Sequence, residues 1–277
     1  MMPSDPTLIA TLLGGVVGLV LALSGAGGGI IAVPLLVFGL HLPMIAAAPV
    51  GLIAVGLAAM LGAGLGLRNG IVRYRAATLI GSIGMLAAPI GVWLAEHIPN
   101  PPLLIAFAGV LAVTGVRSWR RARPPVGECA SAPRPLPCHV DPAEGRLHWT
   151  APCARALAAV GLLSGTLSGL LGVGGGFVIV PALQRHTDLD SRSILATSLA
   201  VIALVSIGGI VAAGLHGRID WPTALPFAGG AALALLAGRL VAGRVQGNRL
   251  DQAFALVCFG VALLMVARGS GLIDYGG

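Results

Sequence analysis

The stretch Gly18-Leu19-Val20-Leu21-Ala22-Leu23-Ser24-Gly25-Ala26-Gly27-Gly28-Gly29, running on to Val33-Pro34, sets the architecture because the chain writes it twice. At an offset of 147 residues (Gly18 to Gly165) it returns as Gly165-Thr166-Leu167-Ser168-Gly169-Leu170-Leu171-Gly172-Val173-Gly174-Gly175-Gly176, running on to Val180-Pro181. Without a gap, the same offset pairs Gly62 with Gly209, Gly70 with Gly217, Tyr74 with Trp221 and Gly91 with Gly238. Chance agreement among apolar residues would not hold one register through so many glycines. The chain is an internal duplication.

Around both copies the composition is that of a protein in lipid. Of 277 residues, 56% are hydrophobic and 10% charged, against roughly 25% charged in soluble domains; mean hydropathy is +0.94. Residues 6–67 contain no Asp, Glu, Lys or Arg. A bilayer crossing needs about 20 apolar residues, so this run holds more than one membrane segment. Further uncharged runs cover 76–95, 97–116, 156–184, 193–217, 221–238 and 252–267. The expected fold is therefore all-α and polytopic, each copy having a Gly-broken first segment and three transmembrane helices. In the first copy these fall at about 8–40, 44–67, 76–96 and 101–118; in the second, at about 152–184, 192–215, 222–243 and 250–268. Met1-Met2-Pro3-Ser4-Asp5 lacks a basic leader region, and an uncleaved first membrane segment is expected.

Residues 117–150 separate the first membrane repeat (1–116) from the second (151–277) and carry Pro124, Pro125, Pro133, Pro135, Pro137 and Pro142. They hold too few apolar side chains for a core, so a mostly disordered linker is expected. Its arginines (Arg117, Arg120, Arg121, Arg123, Arg134 and Arg146) mark it as cytoplasmic. Cys129, Cys138, Cys153 and Cys258 fit neither a disulfide framework nor a zinc spacing, although His139 and His148 lie close by. Unpaired thiols are the reading, with no metal and no cofactor. The net charge of +7 rests on 17 basic residues, all arginine, most flanking apolar runs. That placement suits topology signals rather than a nucleic-acid face.

Arginine placement also orients the copies. If each broken segment spans once, the copies are parallel. Outside the linker and its edge, Arg68, Arg73, Arg75, Arg218 and Arg268 then lie inside, and Arg185, Arg192, Arg239, Arg244 and Arg249 outside. If each broken segment doubles back, the second copy is inverted. Only Arg218 and Arg268 then lie outside, and the other eight inside. The positive-inside rule favours inverted repeats, with both termini outside and the linker inside. At about 1.5 Å per residue, residues 8–24 rise about 25 Å and 28–40 about 20 Å. Both fall short of a ~30 Å core, leaving a re-entrant hairpin and two tight crossings as alternatives.

Glycines at membrane depth free backbone N–H groups, which is tolerated only where protein or a watery cavity satisfies them. A helix restarting after the break aims unpaired N–H groups and a positive dipole end at what sits there. Two such breaks related by inversion form a midplane site suited to an anion. The candidate substrate-binding residues are Ser24, Gly27, Gly28 and Gly29 in the first copy, and Gly174, Gly175, Gly176, Thr197 and Ser198 in the second. Pro34 and Pro181 remove further helical hydrogen bonds downstream. The competing reading is that the glycines only allow close helix packing. No dinucleotide fingerprint fits, since Ile30 and Phe177 stand where a glycine is needed, and no Gly-Lys-Ser/Thr follows either run. No mid-span histidine is available to activate Ser24, and no carboxylate lies deep in a helix. No enzyme is expected. Arg239 is read as snorkelling to the cytoplasmic surface.

The paired Gly-rich segments ending in Val33-Pro34 and Val180-Pro181 resemble the TauE/SafE family of membrane permeases. So do Ala196-Thr197-Ser198-Leu199, Gly217-Arg218-Ile219-Asp220-Trp221, and Gly238-Arg239 with Arg244. The resemblance implies a multi-pass permease of the bacterial inner (plasma) membrane that moves sulfite, sulfonates or related anions, with export as the expected direction. Substrate does not transfer with fold. Val50-Gly51 stands in the first copy where the second has Thr197-Ser198, so any hydroxyl contribution is one-sided. The expected partners are a small anion and the bilayer, with no nucleic acid and no assignable oligomeric state. Alternatives are an anion channel and a membrane sensor or scaffold acting through the Cys/His-bearing linker.

Overall fold

The computed structural model describes residues 6–24, 28–122, 138, 150–187, 189–217, 219–242 and 248–270. In chain order its helices are α1 (Pro6–Ser24), α2 (Gly28–Gly39), α3 (Met44–Arg68), α4 (Tyr74–His97) and α5 (Asn100–Ala122), then α6 (Ala151–Leu171), α7 (Gly176–His186), α8 (Ser191–Leu215), α9 (Trp221–Ala242) and α10 (Asn248–Gly269). Among the described residues there is no strand, only a bridge between Cys138 and Thr187. Seven helices (α1, α3, α4, α5, α6, α8 and α9) are long and apolar enough to cross a membrane. The protein is a multi-pass, all-α membrane protein. Leu86, Ile90, Leu225, Leu233, Leu256 and Leu263 are exposed on its outside. In water that band would be a liability; in lipid it is the solvent-facing surface.

Both Gly-broken segments double back. A Cβ on Gly28 would strike the backbone of Leu21, and one on Gly39 would stand 2.7 Å from Leu13 Cδ1, so α2 returns antiparallel along α1. A Cβ on Gly175 would stand 2.6 Å from Ser164 O. Thr187, just after α7, pairs with Cys138, which is disulfide-bonded to Cys153 near the start of α6. With 12 and 11 residues, α2 and α7 rise only about 18 and 16 Å. They are half-length return arms. Both run as helix through Pro34 and Pro181, because the surrounding protein encloses much of each arm and holds it across the missing bond.

Helices α3 and α8 form the centre, each with 67% of its spanning window buried, against 28% for α1. They run antiparallel: Gly56 meets Ser206, Gly62 meets Leu199 and Gly66 meets Ala196. Contacts between the copies are exchanged at the 147-residue offset. Gly62 stands on Leu199 as Gly209 stands on Leu52. Gly14 of α1 sits on the Phe227 backbone of α9, as Gly161 of α6 sits on that of Ile80 in α4. Gly18 with Ala231 answers Gly165 with Gly84. These glycines are small because backbones touch there, so the packing role expected of Gly14, Gly18, Gly161 and Gly165 is realised.

One expectation is corrected. Cys138 and Cys153 are not free thiols but a disulfide, with Cα atoms 5.1 Å apart. Cys258 is the free, buried cysteine among the described residues, and Cys129 lies outside them. The spacing of 15 residues carries no signal by itself. It is the return of α7 along α6 that sets Thr187, and through it Cys138, beside Cys153. Helix α5 also continues to Ala122, past Val116.

Candidate functional site

The second break is held by conformation and by space at once. Gly172 closes α6 in the left-handed region (φ 74), its N–H donating to Ser168 O at 2.8 Å, a glycine C-terminal cap. Gly174 (φ 78) and Gly175 (φ 70) follow in the same region, and Gly175 caps α7. A side chain at Gly172 would strike Ala48 of α3, and one at Gly175 the carbonyl of Ser164. No residue with a Cβ satisfies both demands.

The two breaks meet. A Cβ on Gly29, in the first turn of α2, would stand 2.6 Å from Val173 O and 3.2 Å from Val55 Cγ1. A Cβ on Gly51 would stand 3.0 Å from Gly172 O, and one on Gly174 2.8 Å from Ile202 Cγ2. Val55 and Ile202 each lie one residue from the middle of their helices, Met44–Arg68 and Ser191–Leu215. The crossing is at mid-depth. There the N-terminal ends of α2 and α7 converge, and the first N–H groups of a helix have no partner within it. Their partial positive charge adds to the same point.

Ser206 of α8 supplies what the backbone lacks. Its side chain is wholly buried, and among the described residues its Oγ has no hydrogen-bond partner. That oxygen lies 3.7 Å from where a Cβ of Gly174 would stand and 3.2 Å from that of Gly56. A buried polar atom without a partner is uncommon and costly, and this one borders the crossing. Ser168 of α6 is likewise buried with an unpartnered Oγ. Both fall at membrane depth in the sequence, but nothing there separates them from packing hydroxyls.

Of the residues singled out from sequence, Gly28, Gly29, Gly174, Gly175 and Gly176 are brought together at this crossing. Gly27 lies outside the described residues, as does the side chain of Ser24. Thr197 and Ser198 are buried and engaged elsewhere. Thr197 Oγ1 accepts from Arg73 N at 3.1 Å, tying α8 to the α3–α4 connection, and Ser198 Oγ donates to Leu195 O at 2.8 Å. They lie about 12 Å along α8 from Ser206. No cluster of three potential metal ligands occurs among the described residues.

Residues 10–265 match the family described as sulfite exporter TauE/SafE. A probable membrane transporter protein of Xylella fastidiosa (strain 9a5c) is 31% identical over 269 residues, covering 95% of this chain and 96% of the relative. A probable membrane transporter protein of Methanocaldococcus jannaschii is 25% identical over 211 residues, covering 74% of this chain and 71% of the relative. The probable membrane transporter protein YdhB of Bacillus subtilis (strain 168) is 24% identical over 204 residues, covering 74% and 77%. No solved structure matches at a significant level.

Proposed function

The chain belongs to the sulfite exporter TauE/SafE family of membrane transporters, and from that premise we propose that it is a secondary transporter exporting small anions such as sulfite, sulfonates or related organosulfur compounds. The observation that carries the reading is the meeting of the two breaks at mid-depth, the second of them bordered by the buried, unpartnered hydroxyl of Ser206. Such a point lowers the free energy of a dehydrated anion. Backbone contact between the breaks at Gly29 and Val173 closes the centre, which favours a carrier over an open channel. Transport is then alternating access, the two halves moving about the shared site, with no covalent chemistry.

In this proposal the copies are inverted repeats in a bacterial inner membrane, linker inside and both termini outside. The doubling back of α1–α2 and α6–α7, the antiparallel pairing of α3 with α8 and the exchanged glycine contacts support it. The test is flux of radiolabelled sulfite and of a two-carbon sulfonate in proteoliposomes, for wild type, Gly28→Leu and Gly175→Leu. Flux in the wild type and none in the inserted variants is expected. Normal flux in either variant removes the site, and absence of anion flux in the wild type removes the function.

A further inference from the structure

The sequence places Arg239 near the end of a helix, where snorkelling to the surface is the ordinary outcome. The structure turns the side chain the other way. Its Nη2 and Cζ lie 3.6 and 3.8 Å from where a Cβ of Gly62 would stand, and Leu199 Cδ1 occupies the same spot at 2.9 Å. Gly62 belongs to α3 and Leu199 to α8, the two most enclosed of the seven spanning helices. The guanidinium therefore points into the bundle, over the bare backbone that Gly62 provides.

Its depth can be placed. At about 1.5 Å per residue, Gly62 lies about 9 Å from the middle of α3 and Leu199 about 6 Å from the middle of α8, both toward the face carrying Arg68, Arg73 and Arg192. Half of a ~30 Å hydrocarbon core is about 15 Å, so the cation lies well inside it. A charge at that depth is expensive and marks a functional site by default. The Glu96–His216 pair lies at the opposite end of the bundle, and among the described residues Arg239 has no salt bridge. The equivalent position in the first copy is Val92, so the repeat's packing does not require an arginine.

We propose that Arg239 is an anion-binding residue of the inner half of the transport path, taking an oxyanion such as sulfite or a sulfonate head group between the arginine-rich face and the Gly29–Val173 crossing. The proposal rests on the anion-transporter reading above. A planar guanidinium presents paired donors that match two oxygens of such a group, which an ammonium cannot reproduce.

The test does not require that the transported anion be known. A cysteine is placed at Gly62, or at Leu199 should Gly62→Cys fail to assemble, in a background carrying Cys129→Ser and Cys258→Ser. Rates of modification from the arginine-rich face are measured with an anionic and a cationic methanethiosulfonate of equal size. With Arg239 present the anionic reagent should be favoured. Arg239→Gln should cut the anion-to-cation rate ratio about tenfold, because removing one charge about 6 Å away in water slows one reagent and speeds the other. Arg239→Lys should keep the ratio yet raise the KM for sulfite in proteoliposomes, with less effect on the maximal rate. An unchanged ratio in Arg239→Gln, or no labelling at either position from that face, overturns the inference even if wild-type sulfite flux is normal. Conversely, a shifted ratio without sulfite flux keeps the anion path and removes only sulfite.

Discussion

Gly175→Ala separates the geometry of the break from the general cost of altering a glycine. Gly175 and Gly70 share almost the same backbone, φ 70 and φ 67. Placing an L-residue in the left-handed region costs roughly 1–2 kcal/mol, and both alanine variants carry that cost. They differ in what the methyl group meets. At Gly70 nothing lies within 4 Å, whereas at Gly175 the new Cβ falls 2.6 Å from Ser164 O and 3.0 Å from Ser164 Cβ. The obstacle is helix backbone, which cannot rotate away, so either α6 or the break must move. Overpacking of this kind costs roughly 1–3 kcal/mol more. If that difference falls on the arrangement that binds the anion, sulfite flux in Gly175→Ala should lie about five- to 150-fold below Gly70→Ala. The assay is initial flux in proteoliposomes per inserted protein, with thermal unfolding recorded for both variants. Equal flux would show that the position of the second break is irrelevant to transport, and the site built on it would be wrong.

Ser206→Ala should lower sulfite flux several-fold while leaving thermal stability unchanged or raised, since a buried hydroxyl without a partner costs about 1–3 kcal/mol; loss of stability with normal flux would make the hydroxyl structural. Cys153→Ser should destabilise the oxidised protein by about 3 kcal/mol, the value for a 15-residue loop, and should make no difference in excess dithiothreitol. Thiol labelling of His186→Cys from the cytoplasm and of His216→Cys from outside would agree with inverted copies, and finding both on one side would restore parallel ones. Compared with Cys153→Ser, which loses the same disulfide, deleting residues 124–146 should leave anion flux intact, whereas a sensor working through the linker would lose its output.

Most of the scaffold is legible because apolar runs, glycine register and arginine placement are each read over many residues. The helices fall close to where the uncharged runs place them. What stays hidden is anything depending on who faces whom. Ser206 looks like any other serine in an apolar helix until α3 and the second break are seen beside it. Arg239 looks like a snorkelling end residue until Gly62 is found under its guanidinium. The Cys138–Cys153 bond is invisible because it follows from the return of α7 and from no spacing. It also falls on the face read as cytoplasmic, where thiols are ordinarily kept reduced, so the labelling of His186→Cys bears on two expectations at once.

The duplication is symmetric in its packing and asymmetric in its chemistry, and a shared central site accounts for both. Several close glycine contacts in one half have a counterpart in the other, as Gly62–Leu199 has Gly209–Leu52. The polar positions have none: Ser206 answers to Ala59, Thr197 to Val50, Ser198 to Gly51 and Arg239 to Val92. A carrier whose halves exchange roles needs two packings of similar free energy, and reciprocal contacts provide that without further tuning. Substrate ligands carry no such requirement. In the proposed carrier, a hydroxyl bordering the crossing of the two breaks, as that of Ser206 borders Gly174, would face the anion whichever half had moved, so one copy could supply it for both states. Away from the crossing the halves are no longer equivalent to the anion. In the proposed topology a cation present on one side alone, as Arg239 is, would make the inner approach differ from the outer one, and that difference is where a preferred direction of loading would originate.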